Sequence, residues 1–257
     1  MFTRKTITFI IGIQFLILSG TTEVESAQSV LANLFHASQA VVTVRAESGG
    51  AFGGKQQFLD PKTGRIVMLG RVRPVYYKRE GAGVIIDPDG IIVTNAHTVQ
   101  KSGRIRVALH DKTIVDGILL EVHPENDLAF IKIEPPFFLV AVRFADSDQL
   151  KPGRKVYCVG NSKLRKNSIS EGKVKAIAKR SNTPSKEAHA VDAIQINFDI
   201  YEGDSGSPVF DEDGSLLGIM NAKSNQKTAR SFAIPVNVIK SYLAKLGRKS
   251  ISAQDHR

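Results

Sequence analysis

The sequence of 257 residues predicts an all-β domain, either a barrel or a sandwich. From about residue 40 onward, short runs rich in Val, Ile and other strand-forming residues recur at near-regular spacing, and turn residues separate them. Helical periodicity is confined to the two ends of the chain. The length is sufficient for a sizeable hydrophobic core.

The predicted strands follow one another along most of the chain. They lie at 40–46, 83–87, 91–97, 104–110, 113–123, 128–134, 155–160, 172–179, 193–198, 207–210, 215–222 and 231–236. Two of the connections, at 87–90 (DPDG) and 211–214 (DEDG), join neighbouring runs. Both are typical of hairpin turns, because their final glycine adopts a positive φ without steric cost.

Helices are predicted before the first strand and after the last one. Residues 29–38 form the first short helix, and residues 236–247 form a closing helix with apolar side chains at helical spacing. Gly247 is predicted to end it. Residues 248–257 are then predicted to be a disordered tail, so the folded domain is predicted to extend over residues 27–247.

The segment 48–83 does not fit the strand pattern. It carries five glycines between residues 48 and 64, and Pro74 interrupts the apolar run that follows. We interpret it as a long surface loop or a mobile hairpin. A loop of this length is uncommon in a compact β domain, so the segment is either functional or contains strands that the pattern misses.

Residues 1–26 are typical of a secretory signal peptide. Arg4 and Lys5 precede an apolar run at 7–18, and small residues follow near the end of the segment. The alternative is an uncleaved membrane anchor, but this run is shorter than the ~20 residues that span a bilayer. The protein is therefore expected to be exported, to the periplasm, the medium or the cell surface.

The charge is +10, from 35 basic and 25 acidic residues, and the stretch 151–190 holds eleven of the basic residues against two glutamates. A basic face can attract anionic lipid or nucleic acid. Tyr157 is the one aromatic residue in this stretch, so a solvated surface is favoured and nucleic acid is not expected. Cys158 is the only cysteine, which excludes an intramolecular disulfide, and we expect it to be a small buried hydrophobe.

The motif GDSG at 203–206 contains a candidate nucleophile, Ser205. A nucleophilic serine needs a base, and a carboxylate that holds the base in the right tautomer. His97 ends an apolar run, and Asp127 directly precedes another, where a histidine N–H would satisfy a buried carboxylate. Each residue taken alone is more ordinary as a turn or strand-end residue. Their order along the chain, His, Asp, Ser, is that of the chymotrypsin-type triad and not that of α/β-hydrolases.

On these motifs the chain resembles the trypsin-like serine peptidases, and among them the HtrA/Deg family most closely. The resemblance runs from SQAVVTVRAE through GAGVIIDPDGIIVTNAHTV, NDLAFIKIE and GDSGSPVFDEDGSLLGIMNAK to SFAIPVNVIKSYL, over roughly residues 38–243. It implies two six-stranded antiparallel barrels, the first at about 38–145 and the second at about 150–236.

The resemblance also implies a role for each site residue. Ser205 would attack the scissile carbonyl, His97 would act as base and then as acid, and Asp127 would orient His97. The N–H groups of Gly203 and Ser205 would form the oxyanion hole. No cofactor and no metal are expected in such a hydrolase.

The sequence departs from the HtrA/Deg pattern in two respects. Family members usually carry a PDZ domain after the protease, and none is expected here, because about ten residues follow the closing helix. The usual nucleophile motif GNSGGP is replaced by GDSGSP, with Asp204 and Ser207 at the changed positions. No segment suited to pairing with Asp204 after zymogen cleavage is evident, so this aspartate is expected to bond locally.

The substrate pocket is predicted to involve Asp199, Asn221 and Lys223. By the resemblance, Asp199 lies at the base of the pocket, where it would favour Arg or Lys in the substrate. Lys223 would neutralise it, and HtrA-like proteases prefer small aliphatic residues. The sequence therefore leaves two alternatives for the preferred substrate residue, a basic one and a small aliphatic one.

The leading hypothesis is an exported serine endopeptidase that acts on polypeptides, unfolded ones included, in HtrA-like quality control or processing. A homotrimer is one option, with apolar surface from Leu31, Leu34 and Phe35, although these side chains could equally pack on their own barrel. One alternative is a binding or chaperone module on a protease fold, with little or switchable activity. Another is a scaffold that contacts anionic surfaces through the basic stretch 151–190.

Overall fold

A computed structural model of the chain describes residues 24–52, 56–59, 63, 66–69, 73–135, 137–160, 168–178, 192–198, 203–221 and 231–254. Most of these residues belong to two closed antiparallel barrels of six strands each. The predicted all-β fold is confirmed as a pair of barrels. All twelve strands predicted from the sequence are present in them.

The first barrel has the strand order β1-β4-β5-β8-β7-β6. Its strands are β1 (Val41–Phe52), β4 (Arg73–Asp87), β5 (Ile91–Asn95), β6 (Arg104–Ala108), β7 (Ile114–His123) and β8 (Leu128–Ile133). The turn after β4 has Gly90 at φ +95°, as a hairpin with a terminal glycine requires.

The second barrel has the strand order β10-β11-β14-β13-β12-β9. Its strands are β9 (Lys155–Gly160), β10 (Ser168–Ala178), β11 (Ala193–Ile196), β12 (Pro208–Phe210), β13 (Leu216–Asn221) and β14 (Ser231–Pro235). Gly214 closes the β12–β13 turn at φ +70°.

The hydrophobic core has two parts. The larger part fills the first barrel, where β5 and β8 are buried almost throughout, and it continues to Phe210, Leu216 and Ile219 on the second barrel. The smaller part lies inside the second barrel and includes Cys158. The two barrels therefore share one apolar interface, which fixes the first barrel against the second.

Helices α1 (residues 24–38) and α3 (Val236–Gln254) flank the barrels, and each is longer than predicted. Leu34 of α1 and Ile239 of α3 are fully buried in the larger core. The prediction that α3 ends at Gly247 was wrong. Gly247 does not take the positive φ of a C-terminal glycine cap, so the helix continues through most of the segment expected to be a disordered tail.

The described residues of the segment 48–83 lie mostly in paired strands, which agrees with the hairpin interpretation and not with the long loop. β1 and β4 remain paired from Val41 opposite Val84 to Phe52 opposite Arg73, and β2 (Gln56–Leu59) pairs with β3 (Ile66–Leu69) in a separate sheet. β6 pairs with β1 only over 43–47, so the far part of the hairpin is not flanked by β6. Proline and glycine are tolerated in such a position, so their presence is compatible with paired strands.

Residues 1–23, most of the predicted signal peptide, lie outside the described residues, as do 161–167 and 179–191 in and beside the basic stretch. Within the described ranges, no helix is long and apolar enough to cross a membrane.

Candidate active site

His97 lies at the junction between β5 and the four-residue helix α2 (Ala96–Val99). The sequence predicted a strand through His97, but the chain turns into a helix at Ala96, whose N–H donates to the carbonyl of Asp127 at 3.0 Å. The backbone N–H of His97 donates to Asp127 Oδ1 at 3.0 Å, and its ring Nδ1–H donates to Asp127 Oδ2 at 2.7 Å. Asp127 therefore fixes both the backbone and the ring of His97.

Asp127 directly precedes β8 and follows the 3₁₀ turn Pro124–Asn126. It is 6% exposed and has a left-handed backbone, with φ +53° and ψ +39°. This conformation costs an ordinary residue roughly 1–2 kcal/mol, and aspartate is among the residues that accept it most readily. Its carbonyl also accepts a hydrogen bond from Asn95 Nδ2 at 3.2 Å. Hydrogen bonds to both its carboxylate and its carbonyl hold this turn in place.

Ser205 lies between β11 and β12 of the second barrel and is 9% exposed. Its Oγ is 3.1 Å from His97 Nε2. The predicted nucleophile, base and carboxylate, which are far apart in sequence, are therefore brought into one hydrogen-bonded chain across the barrel interface. With Nδ1–H donating to Asp127, Nε2 is free to accept the hydroxyl proton of Ser205.

The first barrel also holds the backbone of the nucleophile loop. Ala82 of β4 donates its N–H to the carbonyl of Ser205 at 2.7 Å. Gly206 has φ +84°, and a Cβ at this position would lie 2.1 Å from the carbonyl oxygen of Ala82. Only glycine fits this approach of the two barrels. Behind it, the buried hydroxyl of Thr94 donates to the same Ala82 carbonyl at 2.7 Å.

The predicted oxyanion groups belong to the same turn. Gly203 has φ +98°, and the carbonyl of Asp204 accepts a bond from the N–H of Ser207 at 3.0 Å. Among the hydrogen bonds between described residues, none uses the N–H of Gly203 or of Ser205 as donor. The predicted oxyanion hole requires this, because both N–H groups must be able to donate to the oxygen of a carbonyl whose carbon Ser205 Oγ attacks.

The pocket residues are only partly covered by the structure. Asn221 ends β13, is half-buried and pairs with Phe232. Asp199 and Lys223 lie outside the described residues. Their assignment to the substrate pocket stays a prediction.

Two residues near the site were not singled out from the sequence. Arg79 of β4 donates from Nη1 to the carbonyl of His97 at 2.8 Å, so it caps the short helix α2. Thr94 links β5 to β4 behind the nucleophile loop. Each bond joins segments that come together only in the folded barrel, so a local sequence pattern carries no signal for it.

A sequence profile of the trypsin-like peptidase domain matches residues 81–219, which is more than half of the chain and includes all three residues. The chain belongs to the trypsin-like peptidase family. Its two barrels and the order of the three residues agree with that membership.

Several proteases of the HtrA type are similar to this trypsin-like peptidase. Serine protease HTRA1A of Danio rerio is 33% identical over 175 residues, which cover 66% of this chain and 36% of the relative. Putative serine protease HhoB of Synechocystis sp. is 30% identical over 156 residues, covering 61% and 37%. Serine protease HTRA4 of Homo sapiens is 30% identical over 181 residues, covering 70% and 37%. The chain therefore spans well under half the length of these relatives.

Proposed function

We propose that the protein is a serine endopeptidase. The observation that carries the proposal is the position of the His97 ring, with Nδ1 2.7 Å from Asp127 Oδ2 and Nε2 3.1 Å from Ser205 Oγ. This is the geometry of an activated nucleophile, a base and the group that orients the base.

The proposed reaction proceeds through an acyl-enzyme. Ser205 Oγ attacks the substrate carbonyl as its proton passes to His97 Nε2, and Asp127 stabilises the imidazolium through the Nδ1–H bond. The N–H groups of Gly203 and Ser205 stabilise the oxyanion. His97 then protonates the leaving amine, and water hydrolyses the ester by the reverse sequence of proton transfers.

The proposal extends to an exported, HtrA-like enzyme in quality control or processing of polypeptides. Support comes from the similarity to proteases whose names place them in the HtrA group, and from the composition of residues 1–26. Either substrate preference, basic or small aliphatic, is compatible with this proposal.

A homotrimer through α1 is part of the same proposal. Leu31 and Phe35 lie one helical turn apart and are 56% and 63% exposed, whereas Leu34 is buried against its own barrel. Two of the three side chains are therefore available for contact between copies. The exposed lysines 151, 155, 173 and 175 supply a weak, salt-dependent contact with anionic surfaces.

The test is cleavage of unfolded casein by the full chain, beside two variants of the same loop. Ser205→Ala is expected to remove the activity and retain the fold. Ser207→Ala is the matched control, because its Oγ is fully buried and forms no hydrogen bond with any described residue, so it is expected to keep full activity. Sequencing the new termini decides between the two substrate preferences.

Cleavage that survives Ser205→Ala would overturn the mechanism. Absence of cleavage by the unchanged chain would instead favour the binding-module alternative.

A further inference from the structure

We infer that Tyr242, on helix α3, is a positioning residue for Asp127, acting through the turn that precedes it; the inference rests on the proposed peptidase function. Tyr242 lies more than a hundred residues after Asp127 in sequence and belongs to the closing helix. Its side chain reaches the 3₁₀ turn Pro124–Asn126, whose C-terminal cap is Asp127 itself.

The Tyr242 hydroxyl is bonded to two successive residues of this turn. It donates to Glu125 Oε1 at 2.9 Å and accepts a hydrogen bond from Asn126 Nδ2. Asn126 is buried at 8% exposure and is covalently next to Asp127. One hydroxyl thus ties the side chains of both residues that precede the left-handed Asp127.

The aromatic ring holds the start of the same turn. His123, the residue before Pro124, packs against the Tyr242 ring with centroids 4.0 Å apart and planes at 34°. His123 Nε2–H in turn donates to Glu121 Oε2 at 3.0 Å. We call the five residues Glu121, His123, Glu125, Asn126 and Tyr242 the Tyr242 cluster. Its contacts bracket the turn from His123, the residue before it, to Asn126, its last residue.

The cluster matters for catalysis because Asp127 adopts a backbone conformation with a steric cost. A left-handed residue persists when its surroundings hold it there. From one side, Asn95, Ala96 and His97 bond to Asp127 itself. From the other side, the Tyr242 cluster fixes the turn. Loss of the hydroxyl leaves the buried Asn126 amide without that acceptor and loosens the carboxylate that sets the His97 ring.

The contacts given above join the Tyr242 cluster to the turn before Asp127 and not to the reacting atoms of Ser205 and His97. Loss of the Tyr242 hydroxyl is therefore expected to act on turnover and not on substrate binding. Misplacement of a catalytic group by about 1 Å can cost on the order of 10²-fold in rate, and a partial relaxation of the turn costs less. We expect Tyr242→Phe to lower kcat about tenfold with KM unchanged.

The experiment measures kcat and KM of the full chain, Tyr242→Phe and two controls with a peptide substrate. Tyr157→Phe removes the hydroxyl of a buried tyrosine on β9 and is expected to leave kcat unchanged. Leu243→Ala weakens the packing of α3 at the neighbouring residue, so it is expected to lower the melting temperature but to keep kcat well below that temperature. A fall in kcat for Leu243→Ala equal to that for Tyr242→Phe would overturn the inference, because helix docking alone would explain it.

A spectroscopic measurement keeps the test independent of turnover. The proton between His97 Nδ1 and Asp127 Oδ2, which are 2.7 Å apart, is expected to give a downfield NMR resonance, and Asp127→Asn identifies it by abolishing it. Tyr242→Phe is expected to shift or broaden this resonance, and Tyr157→Phe to leave it in place. An unshifted resonance together with an unchanged kcat would overturn the inference.

The kinetic assay distinguishes a failure of the proposed peptidase function from a failure of the proposed positioning role of Tyr242. If the unchanged chain shows no cleavage that depends on Ser205, the proposed function fails, and the NMR resonance still tests the positioning role. If the chain cleaves and Tyr242→Phe cleaves equally well, the function stands and the positioning role fails.

Discussion

The two barrels hold their parts of the site in different ways. In the first barrel, Asp127 and His97 are joined by two hydrogen bonds, at 3.0 and 2.7 Å, and both residues belong to segments of that barrel. In the second barrel, Ser205 lies on a glycine-containing turn whose backbone is bonded across the interface to Ala82. The base and its orienting carboxylate are therefore assembled within one barrel, whereas the nucleophile is positioned by contact between barrels.

The largest effect is expected within the first barrel. Asp127→Asn keeps the size of the side chain but favours the wrong tautomer of His97, so kcat is expected to fall about 10⁴-fold with the fold retained. Turnover and circular dichroism of the variant check this. A fall of less than tenfold would mean that another carboxylate orients His97.

The next largest effect is expected at the barrel interface. Gly206→Ala would bring a Cβ to 2.1 Å from the Ala82 carbonyl, so the turn must move and carry Ser205 with it. We expect kcat to fall on the order of 10²-fold, as misplacement of a reacting group does.

Gly153→Ala provides the matched control for this prediction. Gly153 also has a positive φ, +90°, but a Cβ there would meet no heavy atom within 4 Å. This variant is expected to lose stability only, through backbone strain of roughly 1–2 kcal/mol. Equal losses of activity in the two variants would show that the close approach of the barrels does not position Ser205.

The smallest effect is expected for a change of stability with pH, which depends on Glu47 of β1 in the first barrel. Arg106 donates to Glu47 Oε1 at 2.6 Å and, together with the nearby Lys78 and Arg104, holds the pKa of the Glu47 carboxyl below its usual value. A lowered pKa in the folded state stabilises the protein above the unfolded pKa of about 4.3, and this stabilisation is lost as pH falls through the folded pKa.

Glu47→Gln is therefore expected to lower the melting temperature at pH 7, and its difference from the unchanged chain is expected to shrink as pH falls below about 4.3. Glu171→Gln on the second barrel is the control, because its pair with Lys155, at 3.6 Å, is exposed to solvent. It is expected to change stability little over the same pH range. A Glu47→Gln effect that does not shrink as pH falls would mean that packing, and not charge, is lost.

The sequence alone was sufficient to predict the features that depend on local residue patterns. β-Branched runs and glycine turns predicted all twelve barrel strands, because these residues favour extended structure and the turns between strands. The three candidate catalytic residues were found because each belongs to a recognisable motif. The structure brings them together.

Features that depend on pairing between distant segments were missed or left open. Glycine and proline left a loop and a hairpin as alternatives at 48–83, and only the pairing of β1 with β4 distinguishes them. His97 was assigned to a strand, because the bond from Ala96 to the Asp127 carbonyl that accompanies the turn into α2 is not visible in the sequence. Tyr242 lies within the predicted closing helix, but its hydroxyl partners, Glu125 and Asn126, are evident only from the fold.

The most direct test of the central claim is the site of covalent labelling by a serine-directed phosphonate, mapped by mass spectrometry on the full chain and on His97→Ala. The triad account predicts one adduct, on Ser205 Oγ, formed in the unchanged chain and slowed by at least ~10³-fold in His97→Ala. Labelling of Ser205 at the same rate in both proteins, or an adduct on another serine alone, would contradict it.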